Sequence, residues 1–299
     1  VLLLGVVSFF ADMTYEGGRS VGGPFLAQLG ASATAGGIVS GLGELVGYGL
    51  RLAETGALVG PLLVALALHS TGNGYQPALA MLLLPAIVSL VVLFAARREY
   101  PRPSELEVVH LGLASHRLPA LSWLYVVAGG LLAAGYADFA LLAYHFAMSA
   151  VVPPAAIPIL YALAMAVAAL SALAFGRLLD RAGLGAVVPG LLSAAGFAPL
   201  AFLGNVPLAV TGVAMWGLGM GIQDSTLRAA LAGMVQPARR ASAYGAFDAL
   251  YGMFWFLGSA LMGVFYDRSI RALAALSLAL QLASLTLFGV VSRRMCKAS

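Results

Sequence analysis

The sequence predicts an all-α integral membrane protein with about ten transmembrane helices, four and then six. Three observations carry that expectation. First, 61% of the 299 residues are hydrophobic and 9% are charged, with a mean hydropathy of +0.95. A soluble fold of this length needs a polar surface that sixteen Lys+Arg and twelve Asp+Glu do not supply, so the second solvent is lipid. Second, apolar runs of about 20 residues, long enough to cross a bilayer at 1.5 Å rise per residue, follow one another from end to end. Third, the scarce charges fall inside or beside those runs. A charge at mid-membrane costs about 2.5–3.5 kcal/mol on insertion scales, so it usually faces a polar cavity or a partner. Many helices with buried polar groups imply a polytopic protein that moves something across a bilayer.

The same composition argues against other classes. The net charge of +4 reflects arginine clusters at segment ends, not a basic, aromatic-studded platform, so nucleic acid is not an expected partner. Cys296 is the single cysteine; it forms no internal disulfide, and no Cys/His spacing resembles a zinc site. No metal or cofactor is expected. No serine, paired-aspartate, H-E-x-x-H or nucleotide-loop motif points to an enzyme.

Taken in order, the candidate spans lie near 1–28, 33–51, 54–69, 75–96, 119–147, 154–178, 184–203, 206–234, 239–266 and 270–292. Charge clusters and Gly/Pro/Asn breaks punctuate them. The chain opens at Val1 inside an apolar run and without Met, which reads as a fragment that has lost its N-terminus. Residues 1–10 read as the remnant of a first span: no basic segment precedes them and no small-residue cleavage site follows. In the second span, Gly37/Gly41 and Gly43/Gly47 are spaced to admit another helix backbone. Residues 33–69 then run into the third span with only LRLAETG (50–56) as a break, so a helix pair is expected to be missing near Arg51–Glu54. The polar stretch 97–118 reads as a cytoplasmic linker between an incomplete four-span bundle, 1–96, and a six-helix bundle, 119–299.

Basic clusters at Arg97/Arg98/Arg102, Arg177/Arg181, Arg239/Arg240 and Arg293/Arg294/Lys297 fall on one side of the alternating spans, the predicted cytoplasm. The opposite loops, 69–74, 149–154 and 203–207, lack basic residues apart from His69; the loop at 267–271, with Arg268 and Arg271, is the exception. The C-terminus is therefore expected in the cytoplasm, and the membrane is expected to be a bacterial-type inner membrane. Residues 53–98 can be laid over 249–294: each gives a glycine-containing span, a short polar turn, a second span and a closing Arg-Arg. Such repeats are typical of transporters built by duplication.

The residues Gly176-Arg177-Leu178-Leu179-Asp180-Arg181-Ala182-Gly183 match the pattern G-x-L-x-D-R-x-G on the loop between the second and third spans of the six-span set. In this the chain resembles the major facilitator superfamily. Gly56-Ala57-Leu58-Val59-Gly60-Pro61 resembles the start of the G-x-x-x-G-P-x-x-G-G motif in the fifth span of the family's antiporters, and departs from it at Leu63-Val64-Ala65. If Gly56, Gly60 and Pro61 mark a fifth span, spans three and four are the missing pair. The resemblance implies two helical bundles around a central cavity, alternating access and a small solute. It also implies that Gly176, Asp180, Arg181 and Gly183 control conformational switching rather than touch solute.

Within the spans, Asp12, Glu16 and Arg19 recur at i, i+4 and i+7 and share a helix face. Two acids and one base leave about one acid free to exchange a proton, as a proton-coupled carrier requires; a structural ion-pair cluster is the alternative. Glu44 lies deep in the second span and is a further cavity candidate, with Tyr48 and Arg51 at the same spacing. Asp138 and His145 are seven apart; Asp138 is a coupling candidate and His145 reads as a hydrated residue near the outer end. Asp224 and Arg228, at i and i+4, read as an internal ion pair or as a gate that forms in one state. Tyr244, Asp248, Tyr251 and Trp255 form a stripe that places an acid among aromatics, suited to an amphipathic or cationic solute or to ordinary packing. The expected function is secondary active transport of a small solute by a monomer, as proton-coupled efflux. The alternatives are a non-transporting or degenerate carrier and an uptake symporter.

Overall fold

The computed structural model describes residues 2–35, 37–38, 56–72, 74–99, 119–236 and 239–298. The described residues are helical with no strand. The N-terminal set comprises α1 (Leu2–Gln28), α2 (Gly56–Ser70), α3 (Tyr75–Met81) and α4 (Leu83–Glu99). Residues 33–35 and 37–38 are helical as well. The C-terminal set comprises α5 (Ala120–Gly135), α6 (Phe139–Ser149), α7 (Ala156–Ala182), α8 (Leu184–Ala195), α9 (Phe197–Leu203), α10 (Val206–Met234), α11 (Arg240–Arg268) and α12 (Ile270–Ala298). Seven spans among the described residues are long and apolar enough to cross a bilayer; α1 is not one of them, and it carries Asp12, Glu16 and Arg19. The site of the expected missing pair, most of the second span and most of the linker lie outside the described residues.

Three of the predicted spans are interrupted. The span expected at 119–147 breaks between α5 and α6, where Tyr136, Ala137 and Asp138 leave the helix. Asp138 restarts it as the N-cap of α6, its carboxylate accepting from Ala140 N at 3.0 Å. Bare backbone is tolerated at membrane depth only where protein satisfies it. Here the Gly135 carbonyl accepts from Ser277 Oγ (2.6 Å) and Gln281 Nε2 (3.3 Å), both reaching in from α12. The spans near 75–96 and 184–203 break at Leu82 and Gly196. The span expected to end at 178 instead runs on to Ala182, so most of the predicted switching loop is helix. Only Gly183 turns, with φ +71°, a conformation glycine adopts without a Cβ clash.

The repeat visible in sequence is also a repeat of packing. α1 packs on α2 and α4, and α5 packs on α11 and α12 in the same way. Glycines set both contacts: a Cβ on Gly60 of α2 would lie 2.1 Å from the Met13 carbonyl oxygen, and one on Gly258 of α11 would lie 2.3 Å from that of Ala134. The two sets meet where α1 packs on α6 and α2 on α7. The larger core sits among the C-terminal helices, and a smaller one (Val21, Val64, Leu68, Tyr75, Ala78, Leu82) holds α1 to α2 and α3.

Candidate functional site

At the junction of the two helix sets, α1 presents Glu16 and Arg19, the α5–α6 break presents Asp138, and α7 presents Tyr161. Arg19 reaches Asp138 Oδ1 with Nε and Nη2, both at 3.2 Å, and its Nη1 lies 3.8 Å from Glu16 Oε2. Tyr161 donates its hydroxyl to Glu16 Oε2. The Arg19 and Asp138 side chains are 7% and 2% exposed, so this ion pair is withdrawn from bulk solvent. Asp12 is half-buried one turn before Glu16. The sequence reading placed the neutralising interactions within α1; the structure gives Arg19 a closer partner 119 residues away. The reason is the α5–α6 break: it puts a cap carboxylate at the end of a half-helix that packs on α1. Asp138 therefore joins Glu16 as a carboxylate that Arg19 reaches.

Behind this cluster lies a layer of rings. Phe139 and Tyr161 are 4.3 Å apart between centroids, Phe139 and Trp216 5.6 Å, and Tyr136 and Trp216 5.6 Å. Tyr136 in turn meets Trp255 at 6.0 Å, and Trp255 meets Tyr251 at 5.8 Å. Two polar bonds pin the layer to the helix break: Tyr136 donates to the Trp216 carbonyl, and Trp216 Nε1 donates to the Ala137 carbonyl at 2.8 Å. Tyr251 donates to Gln223 Oε1 at 2.8 Å. Of the predicted aromatic stripe, Tyr251 and Trp255 are buried in this layer, and Tyr244 is half-buried against the core.

Asp248, expected as an acid among those rings, is instead bonded to Arg228, whose Nε and Nη2 both lie 3.0 Å from its Oδ1. The bond joins α10 to α11. Arg228 therefore pairs across helices rather than along its own, and Asp224 sits half-buried one turn before it.

Other expected residues separate from the cluster. His145 is not a hydrated terminal residue: it is 4% exposed, its Nδ1 lies 3.1 Å from the Tyr266 hydroxyl, and it packs against Phe202. Gly176, Asp180 and Arg181 lie at the C-terminal end of α7, and Arg177 Nη1 donates to the Leu173 carbonyl at 3.1 Å. Gly56 opens α2, while Gly60 and Pro61 are buried on it. Glu44 lies outside the described residues.

Sequence reasoning missed Tyr161, Gln223, Ser277 and Gln281. It also missed Asp267, whose carboxylate bonds backbone of the N-terminal set. Their one signal was polarity within or at the end of apolar helices.

The family model of the Major Facilitator Superfamily matches residues 42–263. An uncharacterized protein of Mycobacterium tuberculosis (Rv2265) and one of Mycobacterium bovis (Mb2288) are each 34% identical over 375 aligned positions, covering 96% of this chain and 91% of the relative. That alignment is longer than the 299-residue chain itself, so the relatives carry residues that face gaps here. Among solved structures, the D323A mutant of the nucleoside transporter NupG superposes with a TM-score of 0.69 at 12% identity, covering 97% of this chain and 99% of that one. A bacterial homologue of the iron transporter ferroportin, in an outward-facing state, gives a TM-score of 0.51 at 17% identity over 98% of this chain and 89% of its own. At such identities the likeness is one of fold.

Proposed function

The chain belongs to the major facilitator superfamily and is an integral membrane secondary transporter of a small solute, and from that premise we propose proton-coupled efflux with Glu16, Arg19 and Asp138 as the coupling group. The observation that carries this reading is the buried Arg19–Asp138 pair, which crosses from one helix set to the other with Glu16 beside it. Arg19 thereby reaches two carboxylates, one on α1 and one at the start of α6. Ionisable groups are costly inside a bilayer and mark proton relays and substrate paths. In this scheme a proton on one of these carboxylates weakens its hold on Arg19 and loosens the grip of α1 on α6, which lets the two sets rock. Solute binding toward the ring layer and proton binding at the cluster then exclude one another, which is exchange. Tyr161 positions Glu16. Asp12, Glu44, Tyr244, Tyr251, Trp255 and the Arg228–Asp248 pair are proposed as cavity or gating groups, and Gly176–Gly183 as the switching element. We place the carrier in a bacterial-type inner membrane as a monomer with its C-terminus in the cytoplasm.

The test is flux in proteoliposomes, with a solute first selected by thermal stabilisation of the purified protein. A pH gradient should drive that solute uphill. Glu16→Gln should abolish uphill transport and retain downhill exchange. Flux indifferent to both the gradient and the substitution would remove the coupling scheme. A second reading, a carrier that has lost a helix pair and no longer transports, is favoured by the alignment that outruns the chain. It predicts solute binding without exchange in the same vesicles.

A further inference from the structure

We propose that Asp267 is a latch that holds the two helix sets together at one end of the molecule, so that its state sets how readily the carrier opens there. Asp267 sits at the end of α11 in the C-terminal set. Its Oδ1 accepts from Ala33 N at 3.1 Å, and its Oδ2 accepts from Thr34 N at 3.1 Å and Thr34 Oγ1 at 2.5 Å. Ala33 and Thr34 begin the helical segment after α1, and Ser32 Oγ takes the next amide, Ala35 N, at 3.2 Å. The first amides of a helix have no partner within it and carry partial positive charge, so a carboxylate placed there is held by both bond and field. In most helices that cap is local; here it is borrowed from a residue 234 positions away in the other set.

The same end of the molecule is closed by direct contact. A Cβ on Gly263 would lie 2.6 Å from the Ala33 carbonyl oxygen, and one on Gly37 would lie 2.4 Å from that of Ser259. A Cβ on Gly23 of α1 would lie 2.0 Å from the Ala140 carbonyl oxygen of α6. Tyr144 donates to the Ala31 carbonyl at 3.0 Å, and its ring meets Tyr266 edge-on. These contacts belong to the closed arrangement and part if the two sets separate here. Asp267 differs from them in being exposed. Water can take over its bonds as they break, so the latch is easily reversed, unlike the buried Arg19–Asp138 pair. Interactions made in only one of two states bias the equilibrium by their net strength over the contacts that replace them. Asp267 is thus a positioning residue for the access cycle. Its functional meaning rests on the carrier reading; its effect on opening does not.

Electron–electron distance measurements on the full chain in nanodiscs, without solute, test the latch. Spin labels are placed at Leu29→Cys and Arg271→Cys, one in each set, on a Cys296→Ser background. The unaltered latch should give one short distance. Asp267→Ala should raise the population of a longer distance at least threefold, and Thr34→Val, which removes one bond of three, should raise it less. Unchanged distributions in folded Asp267→Ala protein would overturn the proposal. If that variant does not fold, an unchanged distribution in Thr34→Val would do the same. A shift in distance without solute flux would leave the latch standing and remove the carrier reading; flux without a shift would do the reverse.

Discussion

Among the described residues, the N-terminal helices α1–α4 and the C-terminal helices α5–α12 share one packing plan and differ in how far their last helices, α4 and α12, are covered. In the C-terminal set, α12 is held by α5, α11, α8 and α9. Its counterpart α4 packs on α1 and α3, and Leu84, Leu90, Val91 and Phe94 face outward at 59–70% exposure. Across the apolar cores of these spans, 22% of Tyr75–Ala95 is buried against 39% of Ile270–Met295. In water such a face would be a severe liability. In a bilayer, lipid tails solvate leucine about as well as a neighbouring helix does, so peripheral helices add little hydrophobic driving force. What must be kept is close backbone packing at the glycine contacts and the pairing of buried charge. Both are present in each set or between them.

The comparison can be broken most severely at those glycines. Gly258→Leu and Gly60→Leu both press a side chain onto backbone that cannot yield, and each should cost about 3 kcal/mol or more. The check is monodisperse yield and thermal unfolding in detergent. Tolerance of Gly60→Leu alone would mean that the N-terminal set is loosely packed rather than merely smaller. Comparable in size is the charge between the sets. Arg19→Ala removes the guanidinium beside the buried Asp138 carboxylate and should cost about 3–5 kcal/mol. Arg228→Ala breaks a pair whose side chains are 30% and 23% exposed and should cost about 1 kcal/mol. Equal losses would show that burial does not separate the two pairs. A pair of leucine truncations, one of them with the smallest effect expected, sharpens the contrast between α12 and α4. Leu285→Ala, at a position 7% exposed, should lower stability by about 2–3 kcal/mol. Leu90→Ala, at 64% exposure, should change it by less than about 0.5 kcal/mol.

The helical fold was legible because lipid imposes length and apolarity on every span, and both are written along the chain. The repeat was legible at 53–98 and 249–294 because its glycines and closing arginines are local features. The break before Asp138 was not: no proline marks it, and it stands because Ser277 and Gln281, far along the chain, satisfy the freed Gly135 carbonyl. Asp12, Glu16 and Arg19 stood out as charges in an apolar run, and Arg228 and Asp248 did too. Their partners did not, since a sequence offers only the i+3 and i+4 neighbours on the same helix, while Arg19 and Arg228 bond carboxylates on other helices. Asp267 was passed over as part of an ordinary loop because its role depends on which backbone lies opposite.

Proton release from the purified carrier tests the central claim most directly. On addition of a stabilising solute to lightly buffered protein, the account predicts release of about one proton per molecule from the Glu16–Arg19–Asp138 group, and none from Glu16→Gln. No release from either, or equal release from both, would contradict it.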